Sequence, residues 1–260
     1  MNAIAGTDPY DSTTPPKDVP DYVSEMKAGS LKGKKIGIVR EMFEGDINPG
    51  VKAAIEESVK VFQDLGAEIV DIELPHSSYA IAAYYIITPS EVSSNLARFD
   101  GIRYGYSALN DKDHSDEAKS LQDVYELSRK YGLGDEAKRR IMLGTYALSS
   151  GYYDAYYKKA SKVRTLIRRD FDEAFKKVDL ILAPTTPKVA FKLGEQNDDP
   201  LQMYMEDIFI APASLAGIPA MTVQCGFASP NEDDKIKLPV GLQLMSAQFN
   251  ESALLQAGFQ

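Results

Sequence analysis

Apolar residues recur along this chain with two periods, and the alternation between those periods predicts an α/β layer fold. The first clear signal is Lys35-Ile36-Gly37-Ile38-Val39-Arg40, a β-branched run that reads as a strand. Behind it, Asn48 and Pro49 suit the N-cap and first-turn positions of a helix. Val51, Ile55, Val59, Phe62 and Leu65 then follow at helical spacing until Gly66. A second strand over residues 67–74 completes a β-α-β unit, which favours parallel strands with the helix on one face. Residues 79–97 carry another helical pattern, interrupted at Thr88-Pro89-Ser90-Glu91 by either a kink or a newly capped start.

The most sustained periodicity lies further along. Residues 135–149 read as a helix. After Gly151 a long helix to about residue 177 sets Tyr153, Tyr156, Ala160, Val163, Ile167, Phe171, Ala174 and Val178 on one stripe. Its other face carries Lys158, Lys159, Lys162, Arg164, Arg168 and Arg169, which read as a solvated surface. Residues 180–183 form an apolar strand, and residues 221–227 and 240–245 form two more around the charged loop from Asn231 to Lys235. Residues 7–33, rich in Asp, Thr, Pro and Ser, read as an extended surface segment, and residues 107–120 as a polar excursion. With no internal repeat and no low-complexity tether, the pattern predicts one continuous α/β structure over residues 1–260.

Composition narrows the function classes. A hydrophobic share of 44% suits a packed core, and 29 basic against 38 acidic residues give a net charge of −9. That balance argues against a general nucleic-acid or anionic-membrane surface. The single cysteine, Cys225, excludes an internal disulfide, reads as a small buried hydrophobe in a strand, and suits a reducing cytoplasm. The longest apolar run, residues 79–88, falls well short of the ~20 residues that span a bilayer. The first six residues lack a basic signal-peptide start, so neither export nor membrane anchoring is expected.

The search for catalytic chemistry returns little. A hydrolase-elbow serine needs Gly-X-Ser-X-Gly to present its hydroxyl on a tight turn, and the chain has no such string. Only His76 and His114 are available for a Ser-His-Asp arrangement, and neither position supports one. Ser149-Ser150-Gly151 is followed by Tyr152 between two predicted helices and is not read as catalytic. Asp111, Asp113 and Ser115 begin like a calcium loop, but Asp116 replaces the required glycine and Gln122 the closing glutamate, so no metal site is expected. No phosphate- or dinucleotide-binding motif is present, and no cofactor is expected on this chain.

Longer strings are more specific. Asp8-Pro9-Tyr10-Asp11-Ser12-Thr13, residues 93–105, residues 138–157, residues 199–204, Leu215-Ala216-Gly217-Ile218-Pro219 and residues 239–244 resemble the A subunits of the aspartyl/glutamyl-tRNA amidotransferases. These are glutaminases of the amidase-signature family, and the resemblance covers essentially the whole chain. It implies the C-terminal part of the amidase-signature fold, with a mixed central β-sheet flanked by helices. The family's lysine, cis-peptide serine and nucleophilic serine lie upstream of the resembling region, so no catalytic residue is expected here and the chain alone is expected to be inactive. Residues 1–6 resemble the family's interior and residue 260 falls within a final helix, so a single incomplete domain, shortened at both ends, is expected.

By the same resemblance, Arg140 pairs with the α-carboxylate of glutamine, Asp207 accepts from its α-ammonium, and the Tyr84 hydroxyl adds a polar contact beside the easily confused Tyr85. Ammonia from glutamine would convert misacylated Glu-tRNA(Gln) or Asp-tRNA(Asn) on a GatB-like B subunit that uses ATP and magnesium, braced by a small GatC-like C subunit. Two alternatives stay open: an amidase-signature hydrolase acting on another amide, and a binding or assembly module without catalysis.

Overall fold

A computed structural model describes residues 1–43, 45–195, 200–231 and 235–260. Asp199 of the string at 199–204, and Glu232, Asp233 and Asp234 of the charged loop, lie outside the described residues. The elements in chain order begin with α1 (Tyr22–Ala28), β1 (Lys35–Val39), α2 (Pro49–Asp64), β2 (Glu68–Ile72), α3 (Ala80–Leu96), α4 (Leu121–Gly132) and α5 (Asp135–Leu148). They continue through α6 (Tyr157–Ala174), β3 (Leu180–Pro184), α7 (Pro200–Met205), α8 (Ala211–Ala216), β4 (Ala220–Ala228), β5 (Leu238–Ser246) and α9 (Glu251–Phe259). The backbone divides into two compact units, Met1–Ile81 with Thr165–Gln260, and Ala82–Arg164. Among the described residues no helix is long and apolar enough to cross a membrane.

The first unit is built on a five-stranded sheet in the order β2-β1-β3-β5-β4. β1 runs parallel to β2 and β3, while β5 runs antiparallel to β3 and β4, so the sheet is mixed. The parallel pair follows from α2, whose N-terminus forms where the capping residues predict it. Asn48 Oδ1 accepts from the backbone N–H of Gly50 at 2.9 Å and of Val51 at 3.1 Å, and Asn48 Nδ2 donates to the carbonyls of Ser229 and Pro230. One core gathers Val51, Ile55 and Phe62 of α2, Ile36, Leu180, Leu182, Leu242 and Leu244 of the strands, and Leu254 and Ala257 of α9. β3 is buried at every position, as a central strand covered on both faces must be. In β4 the register against β5 shifts between Gln224 and Gly226, so Cys225 occupies a β-bulge. Burial pushes its thiol pKa up.

Two expectations are corrected, one in this unit and one where the chain returns to it along α6. Residues 22–28 are helical rather than extended: Asp21 caps α1 through Ser24 N–H at 3.2 Å, and Gln256 of α9 donates to the Glu25 carbonyl. The long helix begins at Tyr157, because residues 151–156 form turns that leave Tyr152, Tyr153 and Tyr156 exposed; its buried stripe begins at Ala160 and runs on through Ile167 and Phe171. Near the start of α3, the Asp170 carboxylate accepts from the backbone N–H of His76 at 2.8 Å and lies 2.9 Å from its Nδ1.

The second unit contains α4 and α5, with the parts of α3 and α6 that fall within Ala82–Arg164. α4 has no counterpart among the elements expected from the sequence. It is set by a reciprocal cap in which Ser120 Oγ accepts from Asp123 N–H and Asp123 accepts from Ser120 N–H. α3 continues through Pro89 without a new start. Proline there has no N–H to donate within the helix, and Ser90 Oγ bonds back to the Ile86 carbonyl at 2.7 Å. α3 and α5 cross at Gly144, where an added Cβ would lie 1.9 Å from the Pro89 carbonyl oxygen. Only a residue without a side chain permits that approach.

Candidate functional site

The α3–α5 crossing places the two sequence-expected residues of the second unit. Tyr85 and Pro89 lie one turn apart on α3, as Arg140 and Gly144 do on α5, so the close approach at Gly144 carries one turn back to the tyrosines and the arginine. The Arg140 guanidinium carbon lies 5.9 Å from the centre of the Tyr85 ring, which meets the Tyr84 ring edge-on at 5.0 Å. Arg140 is mostly sheltered, its side chain 27% exposed, and Tyr84 is half-buried.

The electrostatics of Arg140 are set by its own helix. Arg140 Nε donates to Glu136 Oε1 at 2.8 Å, and the other oxygen of that carboxylate accepts from Arg139 Nη1. The Glu136 hydrogen bond, its charge and the neighbouring Tyr84 and Tyr85 hold the Arg140 pKa above its ordinary value, against a smaller opposing effect of burial. Among the described residues, Nε is the only Arg140 nitrogen with a hydrogen-bond partner. The terminal amino groups therefore retain the planar fork that matches a carboxylate.

Asp207 belongs to the first unit, in the turn between α7 and α8. Its backbone is fixed: its N–H donates to the Tyr204 carbonyl at 3.2 Å, and its carbonyl accepts from Ile210 and Ala211 at 3.1 and 2.9 Å. The following residues are anchored to the sheet by Gln243, buried in β5, which donates to the Phe209 carbonyl at 2.9 Å. A cleft of about 400 Å³ beside this turn is lined by Met205, Glu206, Ile208 and Phe209, without Asp207 itself. The structure thus sets Arg140 by the Tyr85 ring, with Tyr84 next to Tyr85 in the same unit, and places Asp207 in the other unit.

Two residues that matter here were not singled out from the sequence. Glu136 carried a readable signal, its position one helical turn before Arg140; Gln243 carried none, since nothing in a strand sequence marks a buried amide. The histidines have other engagements, His76 with Asp170, and His114 with Glu117 at 3.0 Å while stacked on Tyr131. In the polar excursion, Asp111 accepts from the Tyr106 hydroxyl at 2.6 Å and from Asp113 N–H at 2.8 Å. No group of three metal-binding side chain types is found among the described residues.

Comparison with known proteins adds the family. A protein-family model described as Amidase matches residues 1–255. The glutamyl-tRNA(Gln) amidotransferase A subunit of Caldanaerobacter subterraneus subsp. tengcongensis is 52% identical over 259 residues, covering 100% of this chain and 50% of that protein. The protein of the same name from Heliobacterium modesticaldum is likewise 52% identical over 259 residues, with the same coverage. The crystal structure of the glutamyl-tRNA(Gln) amidotransferase A subunit from Thermotoga maritima matches with a TM-score of 0.70 at 37% identity, covering 96% of this chain and 46% of that one. The chain spans about half the length of the curated relatives it matches.

Proposed function

Because this chain belongs to the Amidase family, we propose that it forms the glutamine-binding part of the A subunit of a tRNA-dependent amidotransferase. The observation that carries this reading is the 52% identity, maintained across the whole chain, to a glutamyl-tRNA(Gln) amidotransferase A subunit. The state of Arg140 supports it: a sheltered guanidinium with its Nε occupied and its terminal amino groups uncommitted suits the α-carboxylate of a free amino acid. In this reading Asp207 accepts from the α-ammonium, and Tyr84 contributes a hydroxyl beside Arg140. A cation for one end and an anion for the other select a zwitterion over a simple amide.

The reaction itself draws on a lysine and two serines, which the resemblance assigns to the other half of the whole protein. The nucleophilic serine displaces ammonia from the side-chain amide, and water then hydrolyses the acyl-enzyme to glutamate. Ammonia passes to a B subunit, where ATP and magnesium activate the aspartyl or glutamyl group carried on tRNA, and a C subunit braces the pair. The complex works in the cytoplasm.

The test is Asp207→Ala in an amidotransferase reconstituted from this chain together with the half of the A subunit that carries the lysine and serines, assayed for ammonia release. Leaving the ammonium without its counter-charge is expected to raise the KM for glutamine by about 30-fold or more. Unchanged glutamine use would transfer the chain to an amidase acting on another amide. The isolated chain is expected to release no ammonia from glutamine, and turnover by pure material would overturn the division of roles.

A further inference from the structure

The carboxylate of Glu136 is shared between two arginines, with Oε1 accepting from Arg140 Nε and Oε2 from Arg139 Nη1. We infer that Glu136 is a positioning residue for the substrate site, fixing the direction in which Arg140 presents its terminal amino groups. The inference rests on the proposed role of Arg140 in binding the α-carboxylate, and extends it to a residue that touches no substrate.

The physical argument concerns orientation. A guanidinium has five N–H donors in one plane, so fixing the Nε edge fixes where the opposite edge points. Glu136 lies one turn before Arg140 on α5, close enough to hold that edge at 2.8 Å. Arg139 holds the far oxygen of the carboxylate, which restrains the glutamate against rotating away. The Tyr85 ring, 5.9 Å from the guanidinium carbon, adds a further neighbour. An arginine held in this way loses less side-chain freedom when a carboxylate arrives, so its orientation contributes to affinity.

An ion pair at an exposed helix surface contributes little to stability, and Glu136 is 46% exposed. A purely structural role would therefore change neither folding nor kinetics much on removal. A positioning role gives a different pattern: the KM for glutamine rises while kcat is retained, because the reacting groups are untouched.

The experiment uses the reconstituted amidotransferase with Glu136→Ala, Glu136→Gln, Arg140→Ala and the double variant Glu136→Ala/Arg140→Ala. Glu136→Ala is expected to raise the KM for glutamine about tenfold with kcat within about twofold. Glu136→Gln, which keeps an oxygen acceptor for Nε, is expected to recover most of that loss. In the Arg140→Ala background, removing Glu136 should have no further effect. If Arg140→Ala raises KM and Glu136→Ala does not, the positioning role fails while the glutamine reading stands. If Arg140→Ala leaves KM unchanged, the glutamine reading fails first. Should Glu136→Ala misfold by circular dichroism, Glu136→Met, a good helix former of similar length that offers Nε no oxygen, decides in its place, and an unchanged KM for glutamine in that variant overturns the role.

Discussion

Replacing Gly144 with alanine probes the crossing that sets the Tyr85 ring by Arg140. The added methyl would lie 1.9 Å from the Pro89 carbonyl oxygen, 2.4 Å from its carbon and 2.8 Å from Ser93 Oγ. That is about 1.5 Å inside ordinary contact, and the closest atoms are backbone, so a side-chain rotation cannot relieve it. α3 and α5 must separate, at a cost near the upper end of the roughly 1–3 kcal/mol seen for overpacking. Alanine's better helix propensity returns about 1 kcal/mol, leaving about 2 kcal/mol of net destabilisation. For a chain of this length that lowers Tm by about 4–8 °C. Thermal unfolding followed by circular dichroism measures it, with Gly45→Ala as the control because an added Cβ there meets nothing within 4 Å. A Gly144→Ala protein as stable as wild type would refute the close crossing, and with it the placement of the Tyr85 ring by Arg140.

Other parts of the structure give independent tests. Asn48→Ala removes the cap of α2 and both bonds to the Ser229 and Pro230 carbonyls, and is expected to cost about 2 kcal/mol in denaturant unfolding. Asn48→Asp keeps the cap acceptor and is expected to lose roughly half as much; equal losses for both variants would contradict a dual role. The hydrogen bond to Asp111 pushes the Tyr106 pKa up to about 12 and holds the Asp111 carboxyl below its ordinary range. The stabilisation carried by Tyr106 is therefore complete below pH 10, the ordinary tyrosine value, and lost as pH rises through about 12. The part carried by Asp111 is present above pH 3.8 and lost as pH falls through its depressed value. Tyr146, beside Tyr152, is also pushed up to about 12, so tyrosinate absorbance should show late-titrating groups with Tyr106 and Tyr146 among them, and Tyr106→Phe should remove one. A titration in which every tyrosine ionises near 10 would contradict both placements.

Much of the fold was legible because its signals are local. α2 announces itself through Asn48, Pro49 and its apolar stripe, and β3 through an uninterrupted apolar run. α4 escaped because one of its buried positions is Ser128, whose Oγ accepts from Ala108 N–H, so the buried face is not an apolar one. α1 is a short helix with only Tyr22 buried, held by Gln256 of the distant α9 and, at its C-cap Gly29, by Gln260 just beyond α9, contacts that no local pattern encodes. At Pro89 the sequence left a kink and a new start open, and the helix continues where Gly144 packs against it. The candidate site was legible only through family resemblance, since in the sequence Arg140 and Asp207 taken singly read as ordinary charged surface residues. What the structure adds is the setting of Arg140: its Nε on Glu136, its ring neighbours, and its uncommitted amino groups.

The proposed role of Arg140 is to take the α-carboxylate of glutamine, and that of Asp207 to take its α-ammonium. The most direct test of this claim is a crystal structure of the reconstituted amidotransferase, inactivated at its nucleophilic serine and soaked with glutamine. The expected result is an α-carboxylate paired with the Arg140 terminal amino groups and an α-ammonium on the Asp207 carboxylate, within ordinary charge-assisted hydrogen-bond distance. Glutamine seated away from either side chain would contradict the claim.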